Sequence, residues 1–198
     1  MVMKRRDVIE LANDVLIPEH NTLRAHLDWI DGWWHTDPEQ INLPPRASKE
    51  HQDLRELSED RWLALVVTTV AQQLALETIR STRGAEAVER MWLPWQRNRM
   101  DSRQKAIHYS AIGYGFAYAT VKPGDTGAVI RGRSPREVYA VYADATTDEY
   151  PMYYLDVRTK NGYVIVDETH EYHVMNDNGK LIYLDEYSHD VGVPPLVR

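Results

Sequence analysis

Apolar residues in the first half of the chain recur at spacings of three and four, which is the period of an amphipathic helix. Over residues 7–32 this spacing predicts two helices, separated near Pro18 because proline disfavours helix in the residue before it; the second should end at Gly32. A longer helix is predicted over 59–81, with acidic residues in its first turn and Gly84 after its last. It is the longest helix that we expect. Its buried side is assigned to Leu63, Val66, Val67, Val70, Leu74 and Ile79.

Two shorter helices are predicted next. Residues 85–92 have helical spacing, and Pro94 is expected to stop that helix because proline has no N–H to donate. Residues 98–101 read as a turn that caps a further helix over 102–112.

From Gly113 onward the pattern changes to short runs rich in tyrosine, valine and threonine. They are separated by hairpin markers at 123–125 (Pro-Gly-Asp), 161–162 (Asn-Gly) and 176–179 (Asn-Asp-Asn-Gly). Seven strands are expected, over 116–121, 128–131, 138–142, 152–158, 163–168, 171–175 and 180–187. Helices followed by an antiparallel, hairpin-rich sheet predict an α+β fold.

The same pattern divides the chain into two parts. Residues 33–48 contain three prolines and no period, which indicates an extended connector. We therefore expect a helical arm with this connector over 1–48 and one α+β domain over 49–198. The helices of that domain should lie within 49–112 and its sheet within 113–198.

Composition narrows the classes of protein. A hydrophobic content of 43% is enough to form the core of one domain, and the lack of cysteine excludes disulfides, thiolate zinc sites and cysteine nucleophiles. No run of apolar residues approaches the roughly 18 to 20 that span a bilayer, and the N-terminus lacks the apolar stretch of a signal peptide. We therefore predict no membrane association.

Charge is unevenly distributed along the chain. The net charge of -7 is made up of -6 over residues 1–79, +7 over 80–136 and -8 over 137–198. Two interpretations of this basic middle segment remain open: pairing with the acidic flanks, within or between subunits, and contact with nucleic acid. Its arginines are Arg80, Arg83, Arg90, Arg97, Arg99, Arg103, Arg131, Arg133 and Arg136.

No pattern of residues indicates catalysis, a cofactor or a metal. His170 and His173 are three apart on an expected strand, so they should point to opposite faces, unlike the helical histidine pair of a zinc protease. The chain has no P-loop and no nucleophile elbow, and its Gly-Tyr-Gly at 113–115 precedes a strand, which is the reverse of a dinucleotide-binding loop. A set of carboxylates offers two interpretations, a two-cation nuclease site and a solvated acidic face, of which the solvated face is expected. Its members would be Asp144, Asp148, Glu149, Asp156, Asp167, Glu168 and Glu171.

One series of segments resembles the portal proteins, or head-to-tail connectors, of tailed bacteriophages. The segment WLPWQRNRMD at 92–101 and the segment GYGFAYATV at 113–121 match best, in the order helix, glycine, first strand of the wing-domain sheet. An apolar helix before them, SPREV at 134–138 and SHDVGVPPLV at 188–197 are also similar. Among portals, the chain is most similar to those of long-tailed phages that infect actinobacteria.

The resemblance implies a structural subunit of a ring, usually of twelve copies, at the capsid vertex of the virion. The ring would form the passage for genome packaging and ejection and the head-tail junction, and it would be assembled in the host cytoplasm. Implied partners are the major capsid and scaffolding proteins, terminase, head-tail adaptor proteins and double-stranded DNA. Family members are more than twice this length, so the chain is expected to be the N-terminal wing portion, without stem, clip and crown.

Seven residues are candidates for contact with a neighbouring subunit or with DNA: Trp92, Trp95, Arg97, Arg99, Arg103, Arg131 and Arg133. In a ring, each subunit meets its neighbour through two different patches, so a basic segment against an acidic flank is a reasonable pairing. The alternative function is a nucleic-acid-binding module that uses the basic 80–136 segment.

Overall fold

A continuous helical stretch begins the chain, made of α1 (Arg5–Leu11), a π segment (Ala12–Leu16) and α2 (Ile17–Trp34). The structure is a computed structural model and describes residues 2–34, 48–57 and 62–198. The predicted break near Pro18 is wrong, because the π segment widens the helix just before the proline. The N–H of Ile17 bonds to the carbonyl of Ala12, five residues back, so the turn that receives the proline ring is wider than an α turn. Most of the expected connector, at 35–47, lies outside the described residues.

The middle helices are α3 (Lys49–Leu57), α4 (Trp62–Gln73), α5 (Ala85–Arg97) and α6 (Met100–Tyr114). The helix predicted over 59–81 corresponds to α4, which ends at Gln73, so the predicted end is wrong. Among the helices within the described residues α2 is longer, so α4 is not the longest of them, contrary to expectation.

The early end of α4 has a cause in α6. The Leu76 N–H donates to Gln104 Oε1 at 2.7 Å, and His108 Nδ1 lies 3.2 Å from the carbonyl oxygen of Leu74. A longer α4 would need these backbone groups for its own hydrogen bonds. Hydrogen bonds to side chains of α6 therefore take the place of those that a further turn of α4 would form.

Pro94 lies inside α5 instead of ending it. The carbonyl that loses its partner belongs to Arg90, which is exposed, so water can satisfy it. The helix predicted over 102–112 is confirmed as α6, two residues longer at each end. Arg99 forms the corner between α5 and α6 in the left-handed region, with φ 53°.

All seven predicted strands are present, and an eighth strand of two residues follows them. One antiparallel sheet has the order β2-β1-β8, formed by β1 (Tyr118–Gly124), β2 (Gly127–Arg133) and β8 (Leu196–Val197). The other is a meander, β3-β4-β5-β6-β7, in which every strand pairs with the next along the chain. Its strands are β3 (Val138–Val141), β4 (Tyr153–Val157), β5 (Gly162–Val166), β6 (His170–Asp177) and β7 (Lys180–Ser188).

Alternate residues of the five-stranded sheet enter two separate cores, as the strand period requires. On one face Leu155 and Ile165 pack with α1 and the π segment, which contribute the fully buried Val8, Ala12 and Leu16. The other face packs on the three-stranded sheet. The buried side chains at this contact come from both sheets: Tyr118, Val138, Tyr154, Val164, Val166 and Leu196.

The fold is α+β, with N-terminal helices followed by antiparallel sheets, which confirms the predicted class. Within the predicted 1–48 arm, α1 and the π segment pack on the five-stranded sheet. The division of the chain at residue 48 stays a prediction.

Candidate assembly surfaces

The segment at 92–101 folds as the corner between α5 and α6. The Trp92 and Trp95 rings stack with their centroids 6.2 Å apart and their planes 17° from parallel, and both are half-buried. The indole N–H of Trp95 donates to Asp101 Oδ1 at 3.0 Å, across the corner. The two tryptophans therefore brace the corner internally and still present part of their rings at the surface.

Asn98 fastens this corner to the three-stranded sheet. Its amide nitrogen donates to the carbonyl oxygens of Pro94 at 2.8 Å and Ala128 at 2.7 Å, and its amide oxygen accepts from the Ile130 N–H at 2.9 Å. No side chain caps the start of α6, so the capping role expected for the turn at 98–101 is wrong, and Asn98 binds the corner to the sheet instead. Sequence reasoning missed this tether because its partners lie about thirty residues away.

The candidate arginines of the corner differ in their surroundings. Arg97 Nη1 donates to the Thr126 carbonyl at 2.7 Å and so supports the turn between β1 and β2. Arg99 is exposed, and no ion pair involves its side chain within the part of the chain that the structure describes.

Arg103, Arg131 and Arg133 lie together around a shallow pocket of 290 Å³ between α6 and β2. Gly132 allows this approach, because a Cβ at that position would lie only 2.4 Å from Ile107 Cγ1 of α6. The close contact places Arg103 beside the arginines of β2, although 28 residues separate Arg103 from Arg131 in the sequence.

Arg133 and Arg136 of the basic segment form ion pairs with residues of the acidic flanks. Arg133 bonds to Asp156, and Arg158 Nη2 binds the other oxygen of that carboxylate at 2.8 Å. The Asp156 side chain is only 2% exposed, so the solvated role expected for this carboxylate is wrong. Burial raises the pKa of Asp156 above its usual value, although Arg133 and Arg158 lower it in part.

Arg136 joins three elements through charged contacts. Its guanidinium bonds to Asp28 at 2.8 Å and to Asp31, both on α2, and to the Tyr114 hydroxyl at 3.0 Å, at the end of α6. The interpretation of the basic segment as a partner of the acidic flanks is therefore correct within the chain for Arg133 and Arg136.

The side of α4 that the sequence assigns to the core is mostly exposed. Val67 is buried as expected and Ala71 is buried beside it, but Val66 is 57% exposed and Val70 and Leu74 are each 44% exposed. Leu65, another apolar residue of this helix, is 53% exposed. We call Leu65, Val66 and Val70, together with Leu74 directly after the helix, the α4 apolar face. The predicted Leu63 lies outside the side chains that the structure describes.

The residues considered for chemistry have separate structural partners. His170 stacks on Tyr172, whereas His173 packs edge-on against Tyr187. Among the described residues, no group of three or more histidines and carboxylates is placed to hold a metal ion. None of the helices in the described ranges is long and apolar enough to cross a membrane.

Comparison with known proteins agrees with the resemblance seen in the sequence. No curated protein matches the chain. A family model described as phage portal protein, SPP1 Gp6-like, matches residues 13–198, which include both sheets and all but the first turns of the helical part. The chain therefore belongs to the phage portal protein family of the SPP1 Gp6-like type.

Proposed function

We propose that the chain is the wing portion of a structural portal subunit, and that its copies assemble side by side into a ring at the capsid vertex. The ring forms the passage through which the genome is packaged and ejected, and it connects head to tail. Family membership supports the portal role. The observation that carries assembly is the α4 apolar face, which is exposed in the single chain.

The physical reason is the cost of leaving this face in water. Each of its four side chains is about half exposed, and burying a leucine or valine completely contributes about 1.5–3 kcal/mol. Elsewhere on its surface α4 packs on α6 and α2, and its Val67 and Ala71 are buried, so the helix is already fixed to the molecule. A neighbouring subunit that covers the outer side gains apolar burial without ordering the helix.

The other proposed properties follow from membership of the family. We propose a ring of twelve, contacts with major capsid and scaffolding proteins, and contacts with terminase and head-tail adaptors through regions outside this chain. We also propose a place in the virion, after assembly in the host cytoplasm, a phage of the actinobacterial type, and a role without catalysis.

A charge introduced on the α4 apolar face tests the assembly. Val66→Glu places a carboxylate at the most exposed of its four positions, and glutamate is a good helix former, so the fold should persist. We expect particles of the wild-type chain to appear as rings by negative-stain electron microscopy and native mass spectrometry. The variant should remain monomeric at the same concentration.

The matched control is Leu184→Glu on β7, where a leucine of similar exposure, 49%, lies away from α4. It should assemble like the wild type. Equal assembly by all three proteins would show that the α4 apolar face is not the interface, and a wild-type chain that stays monomeric would contradict ring formation by this chain.

The nucleic-acid-binding alternative has a narrower basis than the sequence indicated. Arg133 and Arg136 are engaged in ion pairs, and Arg97 supports a turn. The exposed arginines Arg99, Arg103 and Arg131 favour contact with phosphates. Titration with a short DNA duplex at low salt measures it, and a flat titration would remove this alternative.

A further inference from the structure

The contact between the two sheets is apolar at one end and polar at the other. At the apolar end Tyr118 and Leu196 of the three-stranded sheet pack on Tyr154 of the five-stranded sheet. At the polar end the sheets separate around a cavity of 290 Å³. Its charged lining residues are Lys122, Arg131, Arg133, Asp156, Arg158 and Glu171.

The charges in this cleft do not balance. Asp156 is shared between Arg133 of β2 and Arg158, which directly follows β4 of the other sheet. Lys122 Nζ pairs with Glu171 Oε1 at 2.6 Å, again across the cleft. Arg131 makes no ion pair with any residue that the structure describes. The lining thus carries four cations and two carboxylates.

A nearby carboxylate offsets only part of this excess. Glu137 Oε2 lies 3.5 Å from Arg133 Nη1, but Glu137 is half exposed and does not line the cavity. In addition, Arg133 Nε is buried and has no hydrogen-bond partner. Unbalanced positive charge and an unused donor are costly where water is partly excluded, so the cleft is suited to an added anion.

We propose that this cleft binds one small oxyanion of the phosphate class. Guanidinium groups present their donors as planar forks that match the oxygens of phosphate, and Arg131 and Arg133 supply two such groups. The cavity is wide enough for a free anion but lies between two packed sheets, so it favours a small ligand over a long chain. Bound there, the anion links β2 to the five-stranded sheet. This proposal is independent of ring formation.

Inorganic phosphate is the probe. The melting temperature of the whole chain is measured in increasing phosphate, with chloride replacing it at constant ionic strength. We expect a rise of about 2–4 °C once phosphate exceeds its dissociation constant about fivefold. Calorimetric titration of the folded protein should give one site per chain. Arg131→Gln removes a side chain that is exposed and makes no ion pair, so the variant should fold normally and bind phosphate about tenfold more weakly.

The matched control is Arg83→Gln, which removes an exposed arginine from the turn before α5 and should leave phosphate binding unchanged. The same melting shift in the wild type and in Arg131→Gln would reveal a general salt effect and overturn the proposal. A wild type that ignores phosphate but binds a DNA duplex through Arg131 would also overturn it, in favour of a phosphodiester ligand.

Discussion

Asn98 is a single residue whose importance depends on contacts that local sequence rules do not describe. The rules correctly place it in a turn between two helices, since asparagine is common in turns. They assign its side chain to capping, whereas its amide binds α5 and β2 together. A turn residue and a long-range tether have the same local sequence, so only the fold distinguishes them.

We predict that Asn98→Ala lowers the free energy of unfolding by about 2–3 kcal/mol. The substitution leaves the Ala128 carbonyl and the Ile130 N–H without the partner that they have in a site where Asn98 is only 9% exposed. Urea denaturation followed by circular dichroism measures the loss. Asn13→Ala is the control, because the exposed side chain of Asn13 bonds only to its neighbour Asp14 among the described residues. It should change stability by less than about 0.5 kcal/mol.

At the scale of elements, strands were predictable because their signals are local. The turn between β6 and β7 shows why: Asn178 and Gly179 have φ values of 51° and 90°, which is the left-handed pair that an Asn-Gly hairpin turn requires. Helix ends were less predictable. The end of α4 depends on Gln104 and His108 of α6, and the continuity through Pro18 depends on a π segment, and neither has a signal in the nearby sequence.

The N-terminal helical stretch is fastened to the five-stranded sheet by a polar chain as well as by its core. The Met3 N–H donates to the Tyr172 hydroxyl at 3.0 Å, which donates to Asp167 Oδ2 at 2.9 Å. Burial alone raises the pKa of Asp167, but hydrogen bonds from Thr169, His170 and Tyr172 outweigh it, so this pKa lies below its usual value. The ionised carboxylate therefore stabilises the fold.

This lowered pKa predicts a pH-dependent stability. A carboxyl whose pKa is lower in the folded than in the unfolded state contributes its full stabilisation above the unfolded value, about 3.9, and loses it as pH falls through the folded value. Asp167→Asn should therefore lower the free energy of unfolding by about 1–2 kcal/mol at pH 7. The difference from the wild type should shrink below about pH 3.9, as measured by urea denaturation at several pH values.

The exposed neighbour Glu168 supplies the control. Glu168→Gln should change the free energy of unfolding little at any of these pH values. Glu168 is exposed, and no hydrogen bond or ion pair involves its side chain within the described residues. A constant difference between Asp167→Asn and the wild type at every pH would mean that the hydrogen bonds, and not the charge of Asp167, are responsible.

For the whole molecule, the sequence indicated the protein family, but it did not show which charged and apolar side chains are exposed. Charge segregation was visible from counting, yet part of the basic segment is used inside the chain, by Arg133 and Arg136. Val66, Val70 and Leu74 of the α4 apolar face are predicted as core because periodicity shows only that side chains are apolar, not which molecule covers them. A helix that reads as buried but is exposed in one chain is the expected signature of an assembly surface.

The basic segment and the α4 apolar face should respond to salt in opposite ways, so their contributions to association between chains can be separated. Attraction between a basic and an acidic surface weakens as salt screens it, whereas apolar burial persists and is strengthened by sulfate. Arg103 and Arg131 of the basic segment are exposed, as is the α4 apolar face. We therefore predict that association of the wild-type chain weakens by about threefold to tenfold between 0.05 and 0.5 M sodium chloride. It should recover in ammonium sulfate of equal ionic strength. Analytical ultracentrifugation measures both series.

The double variant Arg103→Gln, Arg131→Gln assigns the sodium chloride dependence to particular side chains. Both residues are exposed and free of ion pairs to the described residues, so their loss should flatten the dependence without preventing assembly. A wild type that associates equally at all sodium chloride concentrations would leave the α4 apolar face as the sole source of attraction. If the double variant abolished assembly while Val66→Glu did not, the basic segment would be the principal interface, and the exposed apolar helix would have to be covered by some other part of the particle.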